Sequence, residues 1–207
     1  MIELYTFTTP NGRKASIMLE EIGLPYNVHT VHLGKGEQRT TEFLKLNPNG
    51  RIPAIIDSDG PGGKPITIFE SGAILIYLAE KSGKLLPSDP HARMAAIQWL
   101  MFQMAGIGPM FGQAGFFMRQ EDKNQPAIDR YINESKRLIG VLDQRLAAAE
   151  YLAGGYSIAD IAAFPWVTIV PFFGIALEET PNVKRWNDAI AARPAVQRGM
   201  LVPQLNS

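Results

Sequence analysis

The chain opens on a short apolar run, Ile2 to Phe7, rich in residues that suit a pleated strand. Asn11-Gly12 breaks it. Ala15, Met18, Leu19 and Ile22 then recur at the i, i+3, i+4, i+7 spacing of a helix with one buried face, and Gly23 fits its C-terminal cap. Tyr26 to Leu33 reads as a second strand, and strand, helix, strand implies a right-handed crossover between parallel strands. A loop, "LGKGEQRT", leads to one short helix at Glu42 to Leu46. Ala54 to Asp57 is a third strand, "SDGPGGKP" a hairpin connection, and Ile66 to Phe69 the returning antiparallel strand. Ser71 caps a helix carrying Ile74, Leu75 and Leu78, which ends near Gly83. Residues 1–83 therefore predict an α/β domain of order β-α-β-α-β-β-α, with a mixed four-stranded sheet.

The strand pattern stops at "GKLLPSDPHA", and residues 84–90 read as a linker into an all-α domain spanning 91–207. Asp89-Pro90 is an N-cap followed by proline at the first helical position. The helix that follows runs through Ile97, Leu100, Met101 and Met104, until Gly106, Gly108 and Pro109 should kink or break it. Pro126 to Leu146 is amphipathic, with Ile128, Tyr131, Ser135, Leu138 and Leu142 along one face. Ser157-Ile158-Ala159-Asp160 has the spacing of a capping box. Pro181 to Ala192 is the last clear helix. The uncharged stretch Ile161 to Leu177 is shorter than the ~20 residues of a membrane span and is interrupted by Pro165 and Pro171, so a buried core helix is expected.

Composition narrows the chemistry. Lys and Arg (20) balance Asp and Glu (20) and neither sign forms a block, which argues against a nucleic-acid surface built from bulk basic charge. There is no Cys, hence no disulfide, thiolate metal site or cysteine nucleophile. "MIELYTF" lacks the basic and apolar segments of a secretory signal, so the cytoplasm is the expected compartment. His29 and His32, three apart in a strand, point to opposite faces, and no metal site is expected. "GPGGK" lacks the Ser/Thr and the helix of a phosphate loop, and no Ser lies in a G-x-S-x-G frame.

The remaining pieces form a pattern: "TPNG" at Thr9 to Gly12, "LGKGEQ" at Leu33 to Gln38, "NPNGRIPAI", "FESGAILIYLAEK", "QWL", "GPMFGQ" and "YSIADIAAFPW". Over essentially its whole length the chain resembles the glutathione transferases. It is most similar to the bacterial Nu class, which is related to the yeast nitrogen-regulator-like transferases. The resemblance implies a thioredoxin-like N-terminal domain followed by an all-helical one. It also implies glutathione as cosubstrate, bound as two molecules per subunit or as glutathione disulfide, and a small disulfide or electrophile as the second partner. The implied reaction is glutathione-dependent disulfide reduction, with weaker conjugation and peroxidase activity. A homodimer is implied too, for which the apolar helix around Trp99, Met101, Phe102 and Met104 is a candidate interface; the same residues also read as plain core.

The site residues follow from the same motifs. Ser71, at a helix N-terminus where free N–H groups favour an anion, would hold the γ-glutamyl carboxylate, and Glu70 the neighbouring ammonium. Ser71 also has a purely structural reading as a cap. Pro53 matches the family's cis-proline, which would turn the backbone of Ile52 towards the tripeptide, to pair with it as an added strand. Gln38 would reach the glycyl end. Arg130 would engage a carboxylate, such as that of a second glutathione, or remain a solvated side chain. Thr9 and Asn11 stand where related folds carry redox cysteines, and would donate hydrogen bonds to the ligand's sulfur; Tyr5 lies inside the strand and ranks below them. The alternative to an enzyme is a non-catalytic binding or regulatory protein on the same fold.

Overall fold

The computed structural model describes residues 1–205. Its first strand, β1 (Ile2–Thr6), buries Ile2, Leu4 and Thr6 and leaves Glu3 and Tyr5 half-exposed, the two-residue period of a sheet with one face on the core. Helix α1 (Pro10–Ile22) follows. Asn11-Gly12 therefore does not break the chain but belongs to the helix's first turn. Thr9 is extended (φ −113°, ψ 160°) and caps α1, and Pro10, whose missing N–H costs nothing there, opens it. Gly23, in the left-handed region, closes it as expected.

Strand β2 (Tyr26–Thr30) pairs parallel with β1, which pairs antiparallel with β3 (Ala54–Asp57), and β3 antiparallel with β4 (Ile66–Phe69). The order is β2-β1-β3-β4, a mixed four-stranded sheet. Short helix α2 (Thr41–Leu46) precedes β3, and α3 (Ser71–Ser82) follows β4. Helix α1 packs on α3 and, more extensively, on α9 (Pro194–Met200), a helix the sequence pattern did not reveal. For this reason the compact unit built on Met1–Lys84 also takes in residues 192–205, whereas the sequence assigned that stretch to the helical domain.

The second unit, Leu85–Ala191, is all helical. Asp89 caps α4 (Pro90–Phe102) through the N–H groups of His91 and Ala92. The glycines and Pro109 do not end the helical path: a wide π-helical turn, Gln103–Ile107, carries it into α5 (Gly108–Arg119). Helix α6 (Gln125–Ala147) turns Ile128, Ser135, Leu138, Ile139, Leu142 and Leu146 inward. All ten residues of α7 (Ile158–Val167) are buried, nine of them apolar and the tenth Asp160. Asp160 closes its capping box by accepting from the Ser157 N–H at 2.9 Å, and also takes the Trp186 indole N–H of α8 (Pro181–Ala191) at 2.8 Å. Among the described residues no helix is long and apolar enough to cross a membrane.

Candidate functional site

One row of the sheet brings three of the candidate segments together. Tyr5 of β1 pairs with Ala54 of β3, which pairs with Phe69 of β4. The C-terminal end of β1, the N-terminal end of β3 and the C-terminal end of β4 therefore lie side by side. They deliver the Thr9 turn, the Ile52-Pro53 segment and Glu70-Ser71 to the same edge of the N-terminal unit. Two ladder spacings separate the outer strands, roughly 10 Å, which is about the reach of an extended tripeptide.

At the first position the turn is tight: the Thr9 N–H donates to Phe7 O at 2.7 Å. The Thr9 hydroxyl oxygen accepts the Gly12 N–H at 3.2 Å, which leaves its own O–H as a donor. Asn11, half-buried, sits in the same first turn, where unshared N–H groups and the positive end of the helix dipole collect. Tyr5 is committed elsewhere, its ring stacked on His29 at 4.5 Å between centroids.

At the middle position the Ile52–Pro53 bond is cis. Ile52 is buried in an apolar cluster with Val31, Phe43 and Ala54. Among the described residues no hydrogen bond takes up its backbone N–H or C=O. The loop that presents it is shaped by Asn47, which is 1% exposed, donates to Arg51 O at 2.7 Å and accepts from the Asn49 N–H at 2.9 Å. Gln38 belongs to a single helical turn, Glu37–Arg39, whose backbone abuts this loop: a Cβ on Gly50 would lie 3.2 Å from Gln38 O. The Gln38 side-chain oxygen is buried with no hydrogen-bond partner.

At the third position the structure corrects one detail. Ser71 does not cap α3; it is the first residue of the helix, and Glu70 occupies the cap with no side-chain capping bond. Glu70 is exposed and has φ 70°, ψ 116°, a conformation that a non-glycine residue adopts only under strain. Ser71 is 5% exposed and accepts a hydrogen bond from Lys14 Nζ of α1 at 3.3 Å. Burial, partly opposed by the Glu70 carboxylate, pushes the Lys14 amine down to about 7. The sequence reading passed over Lys14 and Asn47. For Lys14 a signal existed: it lies four residues before Met18 and beside Ala15, on the face that the apolar residues mark as inward.

Arg130 belongs to the second unit. It is exposed on α6 and lines a cavity of about 760 Å³ with Met110, Tyr131, Asn133, Glu134 and Arg137. Arg137 is held by a two-bonded pair with Glu134, at 2.7 and 2.8 Å.

The pattern of the glutathione S-transferase N-terminal domain matches residues 8–81, and that of the C-terminal domain residues 107–194. The chain belongs to the glutathione S-transferase family. Its N-terminal half is thus the family's thioredoxin-like domain and its second half the helical one. Disulfide-bond oxidoreductase YfcG of Escherichia coli is 47% identical over 208 residues, covering 99% of this chain and 97% of that protein. A glutathione transferase from Burkholderia graminis, solved with two glutathione molecules per subunit, superposes with a TM-score of 0.95 at 55% identity, over 99% of this chain and 89% of the other. A transferase from Pseudomonas putida, solved with one glutathione disulfide per subunit, superposes with a TM-score of 0.92 at 52% identity, over 98% and 91%. Within the family, the present transferase has no cysteine of its own at the redox turn or elsewhere.

Proposed function

We infer that this transferase binds glutathione along the sheet edge and catalyses glutathione-dependent reduction of small disulfides. The observation that supports this reading is the shared row Tyr5–Ala54–Phe69, which brings the strand ends before the Thr9 turn, after Ile52-Pro53 and before Glu70-Ser71 side by side. Ser71 and the start of α3 take the γ-glutamyl carboxylate, and Glu70 its ammonium. The untaken backbone groups of Ile52 pair with the cysteinyl residue as an added strand would. Gln38 takes the glycyl end. The sulfur then falls beside Thr9 and Asn11.

A free thiol with a pKa near ~8.5 is only a few per cent thiolate at neutral pH. Lowering that pKa by about two units takes roughly 2.7 kcal/mol of preferential thiolate stabilisation. Charge-assisted hydrogen bonds contribute about 1.5–3 kcal/mol each, so the Thr9 hydroxyl, the Asn11 amide and the α1 N-terminus suffice without any acidic group. The thiolate attacks one sulfur of the bound disulfide and expels the other as a thiolate, which takes a proton. A second glutathione thiolate attacks the mixed disulfide, releasing the second product thiol and glutathione disulfide. Both sulfurs of that product come from ligand, consistent with a chain that has no Cys. Arg130, in the second unit, is the residue there suited to engage a carboxylate.

The test is glutathione-driven reduction of a small disulfide, followed as NADPH consumption through glutathione reductase. Thr9→Ala and Asn11→Ala are each expected to lose activity; full activity in both would overturn the thiolate site. We also infer a homodimer: Met94 and Met101, exposed at 56% and 44% and seven residues apart on α4, put two large apolar side chains on one outward face of that helix. Light scattering after size exclusion should return twice the 22.8 kDa chain mass.

A further inference from the structure

Arg13, near the start of α1, is half-buried, and its Nε is shut off from solvent with no hydrogen-bond partner. Among the described residues no hydrogen bond or ion pair takes up its outer nitrogens either, so these face open space. The first turn of α1 holds no acidic residue. The acids of that helix, Glu20 and Glu21, lie towards its other end, paired with Arg198 at 2.6 Å and Arg193 at 2.7 Å. Helix α9, packed on α1, carries Arg198 and no acid. The guanidinium is always charged, and it stands near the positive end of the helix dipole. A cation is disfavoured there and gains most from an anionic ligand, which its planar fork can hold by two parallel hydrogen bonds.

Helical side chains lean towards the N-terminus of their helix, so that of Arg13 runs back towards Thr9, about 6 Å away along the axis. Its neighbours fix the flank it lies on. Lys14 turns towards α3, where its Nζ donates to Ser71 at 3.3 Å. Ile17, four residues on from Arg13 and so on the same face, meets α9: a Cβ on Gly199 would lie 2.5 Å from Ile17 Cα. Arg13 therefore stands on the α9 flank of α1, and Ser71 lies off the α3 flank. Glutathione bound as inferred above runs from its sulfur beside Thr9 towards Ser71. Disulfide exchange is an in-line displacement, so the leaving half of the disulfide departs on the side away from the attacking glutathione. That is the side of Arg13. We propose that Arg13 sets the substrate class, receiving on its guanidinium a carboxylate that the disulfide carries within a few bonds of its sulfurs. The proposal rests on the placement of the glutathione sulfur at Thr9. The exchange itself is unaltered: two glutathiones and one disulfide give glutathione disulfide and two thiols, and Arg13 neither forms a covalent bond nor gives up a proton. The same charge repels a disulfide that bears ammonium groups, so selection works in both directions.

Three small disulfides separate the outcomes: dithiodiglycolate with two carboxylates, bis(2-hydroxyethyl) disulfide with no charge, and cystamine with two ammonium groups. Each kcat/KM at pH 7 is divided by the rate constant of the uncatalysed exchange with glutathione, which removes the disulfide's own reactivity. In low salt the corrected value of the unmutated protein should be about tenfold or more higher for dithiodiglycolate than for cystamine, with the neutral disulfide between them. Arg13→Gln should lower that ratio about tenfold, and Arg13→Glu should invert it. Arg13→Lys, which keeps the charge but not the fork, should keep part of it. Arg13 is half-exposed, so all three variants are expected to fold, which circular dichroism checks. A ratio of one or below in the unmutated protein would overturn the proposal without any variant. So would a ratio that Arg13→Gln leaves unchanged, whether because nothing falls or because all three disulfides fall equally. An equal fall would put the guanidinium on the glutathione thiolate, which every one of these reactions shares. Each of these results leaves glutathione-dependent reduction standing. Failure to reduce any of the three disulfides would instead overturn the proposed function, and the role of Arg13 with it.

Discussion

The backbone N–H of Gly12 donates to the hydroxyl oxygen of Thr9 across the first turn of α1, at 3.2 Å. That bond needs Gly12 pressed against the preceding strand end. A Cβ there would lie 2.2 Å from Phe7 O and 2.5 Å from Thr6 Oγ1, and the first of these is backbone. Gly12→Ala must therefore open the turn that carries Thr9 and Asn11. The expected cost is about 2 kcal/mol or more in stability, with at least a tenfold loss of kcat/KM for disulfide reduction. Gly140→Ala on α6, where a Cβ meets nothing within 4 Å, is the control and should stabilise by about 0.5–1 kcal/mol. Chemical denaturation and steady-state kinetics on the two variants check both halves.

Glu70 is held at φ 70° immediately before Ser71. A non-glycine residue pays about 1–3 kcal/mol for such a conformation, and it persists only where the surroundings impose it. Glu70→Gly should relieve it and raise the unfolding free energy by about 1 kcal/mol. The same change removes the carboxylate proposed to receive the γ-glutamyl ammonium, so KM for glutathione should rise by about tenfold or more. Stability and binding should move in opposite directions. A glutathione KM unchanged in Glu70→Gly would sink the proposed contact.

Much of this was legible in the sequence because the signals are local. The helix stops at Gly23 and Gly83, the caps at Asp89 and Ser157, and the alternation in β1 each follow from one residue's conformational or hydrogen-bonding preference. The misses have physical reasons too. Gly108 and Pro109 look like breakers, but Pro109 lies in the first turn of α5, where no N–H is needed, and the π-helical turn before it absorbs the misfit. Helix α9 has only seven residues, "PAVQRGM", too few to show a period, and its partner α1 lies far away in sequence. Ser71 was expected to be a cap because Ser favours that position. Glu70 takes the cap instead in a conformation that glutamate does not advertise. Lys14 was readable as a cation on an apolar face, but its partner Ser71 is 57 residues away, and only the packing of α1 on α3 brings them together.

Asp57 gives a pH prediction. It is 1% exposed, and burial alone would raise its pKa. The Tyr77 hydroxyl at 2.6 Å, the Asp59 N–H at 2.9 Å and the Lys81 ammonium at 3.0 Å outweigh that and hold it below the ordinary carboxylate value. The folded state thus favours the ionised form. The stabilisation is full above the unfolded-state pKa of about 3.9, and is lost as pH falls through the lower folded value. Asp57→Asn should cost about 1.5–3 kcal/mol at pH 7. The gap between the two proteins should close as pH is taken down from 5 towards 2. Urea unfolding at a series of pH values measures it, and a gap independent of pH would refute the assignment.

The contact between Gly199 and Ile17 joins α9 to α1. A Cβ on Gly199 would lie 2.5 Å from Ile17 Cα and 2.7 Å from Ile17 N, both backbone atoms, so no side-chain rotation can make room. The buried Ser16 hydroxyl seals the same contact by donating to Gly199 O at 2.7 Å. Gly199→Ala must push the two helices apart and break this bond as well, at an expected cost of about 2–3 kcal/mol. For a chain of this length that corresponds to a fall in Tm of roughly 4–10 °C. Ser16→Ala, which removes the shorter of the bonds to Gly199 O and leaves it the Val202 N–H at 3.3 Å, should cost about 0.5–1.5 kcal/mol. The two substitutions act on one contact, so the double variant should lose less than their sum. Additive losses would mean that the two residues stabilise the molecule independently. Glutathione affinity gives a second readout: because α1 carries Thr9 at its start and Lys14 in its buried face, Gly199→Ala should weaken binding although Gly199 is no part of the proposed site.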